Sequence, residues 1–104
     1  MDAIVVLSMF PNPDQAAGVA RKLVEEGLAA CVNIVPAVRS IYRWKGAVCD
    51  EAEALVVIKT TSERQGALVA RLVALHASYE LPEAIVLPVA GGHAPYLEWL
   101  ASAK

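Results

Sequence analysis

From Ala30 to Trp44 the chain is β-branched and aromatic with Pro36 as its one interruption, and after Lys45-Gly46 it returns in the same style from Ala47 to Thr60. This pattern predicts a β-hairpin with a two-residue loop and a bulge or break at the proline. If Lys45 and Gly46 form the loop, Tyr42 faces Cys49 and Ser40 faces Glu51. Each arm of about 14 residues reaches roughly 46 Å. A chain of 104 residues packs to a radius of gyration near roughly 13 Å. The hairpin must therefore project beyond the domain that bears it. Its tip carries Tyr42, Trp44 and Val48, which an isolated subunit would leave wet, and an exposed apolar patch of that kind marks a contact.

The flanking segments supply the other elements. Ala3 to Met9 is apolar with almost no alternation, as in a central strand covered on both faces. Pro11-Asn12-Pro13 ends it, Asn12 with Gln15 has the form of a capping box, and Pro13 suits the first helical position. The helix that follows runs to Glu26 with Ala16, Ala20, Leu23 and Val24 on one stripe, and Gly27-Leu28 reads as a Schellman stop. Thr60 with Glu63 suggests a second capping box, opening a helix with Leu68, Leu72 and Leu75 on its apolar side that ends near His76. Ala84 to Val89 is a fourth strand whose Pro88 demands an edge or a strand end. Gly91-Gly92 breaks the chain before a last helix from Pro95, in which Leu97 and Leu100 adjoin Tyr96 and Trp99. The order β-α-β-β-α-β with an added C-terminal helix predicts one α+β domain over residues 1–104, a ferredoxin-like antiparallel sheet with a long projecting hairpin. Fold alone does not give function.

Charge and motif exclude several classes. Nine Lys and Arg against eleven Asp and Glu give a net charge of -2, with no basic run longer than Arg21-Lys22. A nucleic-acid groove or an anionic-membrane face needs clustered positive charge, so neither partner is expected. Apolar runs such as Ala3 to Leu7 and Ala54 to Ile58 fall far short of the roughly 18 residues that span a bilayer. The opening Met1-Asp2 and the early Pro11 do not suit a signal peptide, so the chain reads as mature protein. Two cysteines with no CxxC spacing fit a reducing cytosol, and a cytoplasmic location is expected. No serine lies in a GxSxG elbow, and no HExxH or glycine-rich phosphate loop occurs, so neither an enzyme nor an organic cofactor is expected. Hydrophobic residues make up 57% of the chain, a surplus that one small domain finds hard to bury alone.

Several strings in order resemble one family. Leu28-Ala29-Ala30-Cys31-Val32-Asn33, Ser40-Ile41-Tyr42-Arg43-Trp44-Lys45-Gly46, Lys59-Thr60-Thr61, Tyr79-Glu80-Leu81-Pro82-Glu83 with Leu87-Pro88-Val89, and Tyr96-Leu97-Glu98-Trp99 look like the CutA divalent-cation tolerance proteins. The resemblance implies a homotrimer of ferredoxin-like subunits associated with tolerance of copper and other divalent metals. It puts Tyr42, Trp44, Tyr96 and Trp99 at subunit contacts and Cys31 and Lys59 at the cleft between subunits. Two departures stand out. The family's His-Pro-Tyr is replaced by His76-Ala77-Ser78-Tyr79, one residue longer and without the proline, and Ser8 stands where some members carry a cysteine.

Among ligand candidates, Glu53 enters an apolar run and wants a partner such as Lys59, Arg39 or a metal. His76 closes a helix, where the dipole favours its charged form. By resemblance the two together mark a site for Cu(II) or another divalent cation, since imidazole and carboxylate suit borderline metals. Water or a second subunit would complete the coordination. Cys31 reads as a packing residue, Cys49 as a thiol near the hairpin tip, and His93 as a helix-start residue. Acylphosphatases and metal-transfer domains of this fold need an arginine cradle or a CxxC after the first strand, and Met9-Phe10-Pro11-Asn12 offers neither. The rival reading is a PII-like signalling trimer that binds a nucleotide or small metabolite between subunits.

Overall fold

A computed structural model describes residues 2–103. The elements are β1 (Ala3–Phe10), α1 (Pro13–Glu25), β2 (Cys31–Trp44), β3 (Ala47–Thr61), a 3-10 turn (Ser62–Arg64), α2 (Gln65–Leu75), β4 (Ile85–Pro88) and α3 (Ala94–Ser102). One antiparallel sheet holds the strands in the order β2-β3-β1-β4, the split arrangement expected from the element order.

Local chemistry explains most boundaries. The Asn12 side chain accepts the Gln15 amide at 2.9 Å, but the reciprocal half of the box is absent because the Gln15 side chain accepts the Ser78 hydroxyl at 2.6 Å instead. At the far end of α1 the Leu28 amide reaches the Leu23 carbonyl and the Gly27 amide the Val24 carbonyl, both at 3.0 Å, with Gly27 at φ 73°. That is the Schellman stop. Arg71 then ties α2 to the end of α1 through two bonds of 2.8 Å to the Glu26 carboxylate.

The second capping box does not form. Strand pairing continues to Thr61, opposite Ala3, so Thr60 lies within β3 and its hydroxyl donates to the Leu28 carbonyl at 2.7 Å. Helix α2 instead starts from the 3-10 turn, with no side-chain cap. The fourth strand is shorter than expected, and Pro88 ends it on a sheet edge.

Helices α1 and α2 cover one face of the sheet. Ile4, Val6, Phe10, Val56 and Ile58 meet Leu23, Leu68 and Leu72 there, each large side chain contributing about 1.5 to 3 kcal/mol by burial. The strand alternation sends Val5, Leu7, Met9, Leu55 and Val57 to the other face, where they are only half-buried. Ile85 and Leu87 of β4 share that face and are 48% and 43% exposed. Thus β1 is central, yet in the single subunit only one of its faces is covered. Helix α3 screens one end of the open face, where the Lys59 ammonium lies 5.7 Å from the Tyr96 ring centre.

The hairpin projects as expected. Tyr42 pairs with Cys49 and Ser40 with Glu51, and the register shifts between Val35 and Val38, at the proline. The extents of 44 × 25 × 22 Å put the long dimension close to one hairpin arm.

Candidate functional site

Strand β1 ends at Phe10 opposite Ala54, so Glu53 and everything beyond it on β3 overhang the sheet with their β2 partners. The bulge sets Pro36 and Ala37 against Ala54 alone, which bends the strand and adds twist. Beyond it the pairs Val38 with Glu53, Ser40 with Glu51, Tyr42 with Cys49 and Trp44 with Ala47 share one face. The segment after α2 crosses this overhang and closes a cleft of about 580 Å³ lined by Met9, Ser40, Tyr42, Trp44, Glu53 and residues 78–83.

His76 launches that crossing segment. Its backbone amide caps α2 through the Leu72 carbonyl at 3.0 Å. Its ring is buried, stacked on Phe10 with centres 4.1 Å apart, and its Nε2–H donates to the Met9 carbonyl at 2.7 Å. Nδ1 is buried without a hydrogen-bond partner. The ring of His76, a metal-ligand candidate at a helix end in the sequence, thus faces the core. Tyr79 follows with its ring 5.0 Å from His76, and its hydroxyl donates to Glu53 Oε2 at 2.5 Å.

That bond answers what the sequence asked about Glu53, with a different partner. The expected salt bridge to Lys59 or Arg39 does not form, because Arg39 makes a two-pronged pair with Asp50 at 2.9 and 2.7 Å and Lys59 sits against Tyr96. Tyr79 was missed as a functional side chain, although the string Tyr79-Glu80-Leu81-Pro82-Glu83 signalled the segment. The longer His76-to-Tyr79 stretch is held to α1 by the Ser78 to Gln15 bond.

The cleft is acidic. Glu53, Glu80 and Glu83 line it, and no Lys or Arg does. Lys45 reaches its rim, 3.2 Å from Glu80 Oε2. Burial, and then the nearby Glu53 charge, holds the Glu83 carboxyl above the usual range. The Tyr79 hydroxyl is held well above the ordinary tyrosine value by burial and by its bond to Glu53. Tyr42 is shifted the same way by burial and Glu51.

Of the remaining candidates, Tyr42 and Trp44 line the cleft and the others lie apart from it. Cys31 and Lys59 face each other across β2 and β3 at the opposite end of the sheet, with the Cys31 thiol 3.8 Å from Asn33 Oδ1. Tyr96 and Trp99 pack ring on ring at 5.5 Å and remain 40% and 47% exposed. Tyr42 and Trp44 are each 37% exposed. Ser8 is wholly buried on the helix-covered face, so position 8 faces the core and not the cleft. Among the described residues no three His, Cys, Asp or Glu side chains converge as a metal-holding group, and no helix is long and apolar enough to cross a membrane.

Comparison with known proteins decides the family. The family model described as CutA1 divalent ion tolerance protein matches residues 4–103. The chain belongs to the CutA1 divalent ion tolerance family. It is 49% identical over 96 residues to the divalent-cation tolerance protein CutA of Thermus thermophilus, covering 92% of each chain. It is 46% identical over 90 residues to human protein CutA, covering 86% of this chain and 50% of that one. A solved structure of the Thermus thermophilus CutA1 superposes with a TM-score of 0.92 at 46% identity over 98% of both chains. A CutA1 structure from Oryza sativa superposes at 0.91 with 44% identity, covering 96% of this chain and 91% of that one. The ferredoxin-like architecture of the CutA1 family is thus the architecture found here.

Proposed function

We propose that this CutA1-family chain works as a homotrimer that binds copper or another divalent cation in its acidic cleft and takes part in the response to metal ions without catalytic turnover. The observation that carries the cation reading is the cleft itself, with three lining carboxylates and no lining base. Hard and borderline cations are drawn to such a field. Glu53 is the cleft's ligand in this reading. Tyr79 stands between Glu53 and His76, touching both, so His76 joins the same ion only when Tyr79 moves aside. Nδ1, buried and unpartnered, is its available donor, because Nε2 is spent on Met9. Water or a second subunit completes the shell.

Trimer formation rests on the half-covered sheet face and the aromatic hairpin, with the number three taken from the family resemblance. A cytoplasmic location is supported by the free thiols of Cys31 and Cys49, while relatives carry names such as chloroplastic and periplasmic. The PII-like alternative is disfavoured by charge, because a nucleotide's phosphates would face carboxylates in this cleft.

Calorimetric titration of the purified chain with Cu(II) tests the reading, comparing the parent with Glu53→Ala and His76→Ala. Affinity should fall in Glu53→Ala. Equal affinity in all three proteins would contradict the site.

A further inference from the structure

We propose that residues 77–84 form a strap over the cleft that swings open as a unit while the sheet and helices stay folded, with the Tyr79 hydroxyl on Glu53 as its latch. Entry to the cleft is then gated by one hydrogen bond. The proposal rests on how the segment is held, and not on what the cleft binds.

The strap runs between two firm anchors. At one end His76 is buried, with its amide on the Leu72 carbonyl, its ring stacked on Phe10 and its Nε2 on the Met9 carbonyl. At the other end Ile85 enters β4 and pairs with Leu7. Between them, among the described residues, no amide or carbonyl of 77–84 takes part in a backbone–backbone hydrogen bond, and none of these residues is buried. Leu81 is 71% exposed. A segment with so few backbone bonds and so little buried surface opens at a small fraction of the cost of unfolding the domain.

Side chains hold the strap instead. Tyr79 donates to Glu53 Oε2 at 2.5 Å, Ser78 donates to Gln15 Oε1 at 2.6 Å, and Glu80 pairs with the Lys45 ammonium at 3.2 Å. The three contacts reach β3, α1 and the hairpin loop, and they are unequal. The Ser78 bond and the Lys45 pair are exposed, so water replaces them at little cost. The Tyr79 bond is part-buried and ends on a carboxylate, and a hydrogen bond to a charged group is stronger than one between neutral groups. No proline stiffens the chain between His76 and Tyr79, where the family pattern carries one, so the backbone there keeps the freedom that opening needs.

The test is native-state proteolysis of the purified chain at micromolar concentration, with a glutamyl endopeptidase and urea held below the unfolding transition. The parent should be cut first after Glu80 or Glu83, at a rate almost independent of urea, because a local opening exposes little surface. Cleavage tracks the open population when reclosing is fast, so Tyr79→Phe should raise that rate about tenfold, the loss expected for a hydrogen bond to a charged group. Glu53→Gln should raise it too, and the double variant should be cut no faster than the faster single one, because the same bond is weakened or lost in each. A first cut elsewhere in the chain, a rate that climbs with urea as steeply as global unfolding, a Tyr79→Phe rate equal to the parent's, or variants whose effects add would overturn the proposal.

Discussion

The carboxyl of Glu83, held up by burial and by Glu53, makes stability depend on pH. In the window between the ordinary carboxylate value and its raised one, the folded chain keeps a proton that the unfolded chain has released. Stability therefore falls as pH rises through that window. Glu83→Gln should raise the urea midpoint at neutral pH, and the gap should close as pH falls through the window. A parent more stable than the variant at neutral pH would contradict the assignment. Tyr79→Phe removes the hydroxyl that Glu53 accepts and should lower stability by about 1 to 2 kcal/mol, part of the value of a hydrogen bond to a charged group. Chemical denaturation reads it directly, and an unchanged midpoint would show that the bond carries no net weight. At this scale the sequence revealed that Glu53 needed a partner, because a carboxylate next to an apolar run must find one. It did not reveal which partner, since Tyr79 reaches Glu53 only through the path of the crossing segment.

The hairpin is the element that the sequence specified most fully. A two-residue loop with Lys45 at φ 49° and Gly46 at φ 82° matches strand twist, and it fixes the register from Trp44 back to the bulge. Nothing lies within 4 Å of a Cβ built on Gly46, so Gly46→Ala should cost about 1 kcal/mol through backbone conformation alone. Thermal unfolding should show the loss, and a gain would mean that the turn adopts another form. The Asn12 cap and the Schellman stop were equally legible, because each is closed by atoms a few residues apart. The Thr60 to Glu63 box misled for the complementary reason. Pairing with β1 and the Leu28 carbonyl, 32 residues away, claimed Thr60 before a local cap could form. The acidic cleft was hidden for the same reason: its walls come from β1, the hairpin and the segment after α2, which only the tertiary fold brings together.

Across the whole molecule the apolar excess and the half-covered face of the sheet describe one problem. Val5, Leu7, Leu55 and Val57 stay only half-buried in the single subunit, and the apolar run of β1 from Ala3 to Leu7 suits a strand covered on both faces. Copies of this chain are the cover that the proposal assigns. Trp44→Ala should then loosen assembly, by about 3 to 5 kcal/mol if the ring is fully buried between subunits. Sedimentation across a dilution series would register this as dissociation at higher protein concentration than the parent, and unchanged sedimentation would remove Trp44 from the contact. The most direct measurement is the mass of the purified chain by light scattering at micromolar concentration. A stable mass three times that of the 11.0 kDa chain is the predicted result, and a stable mass of one chain would contradict the assembly on which the account depends.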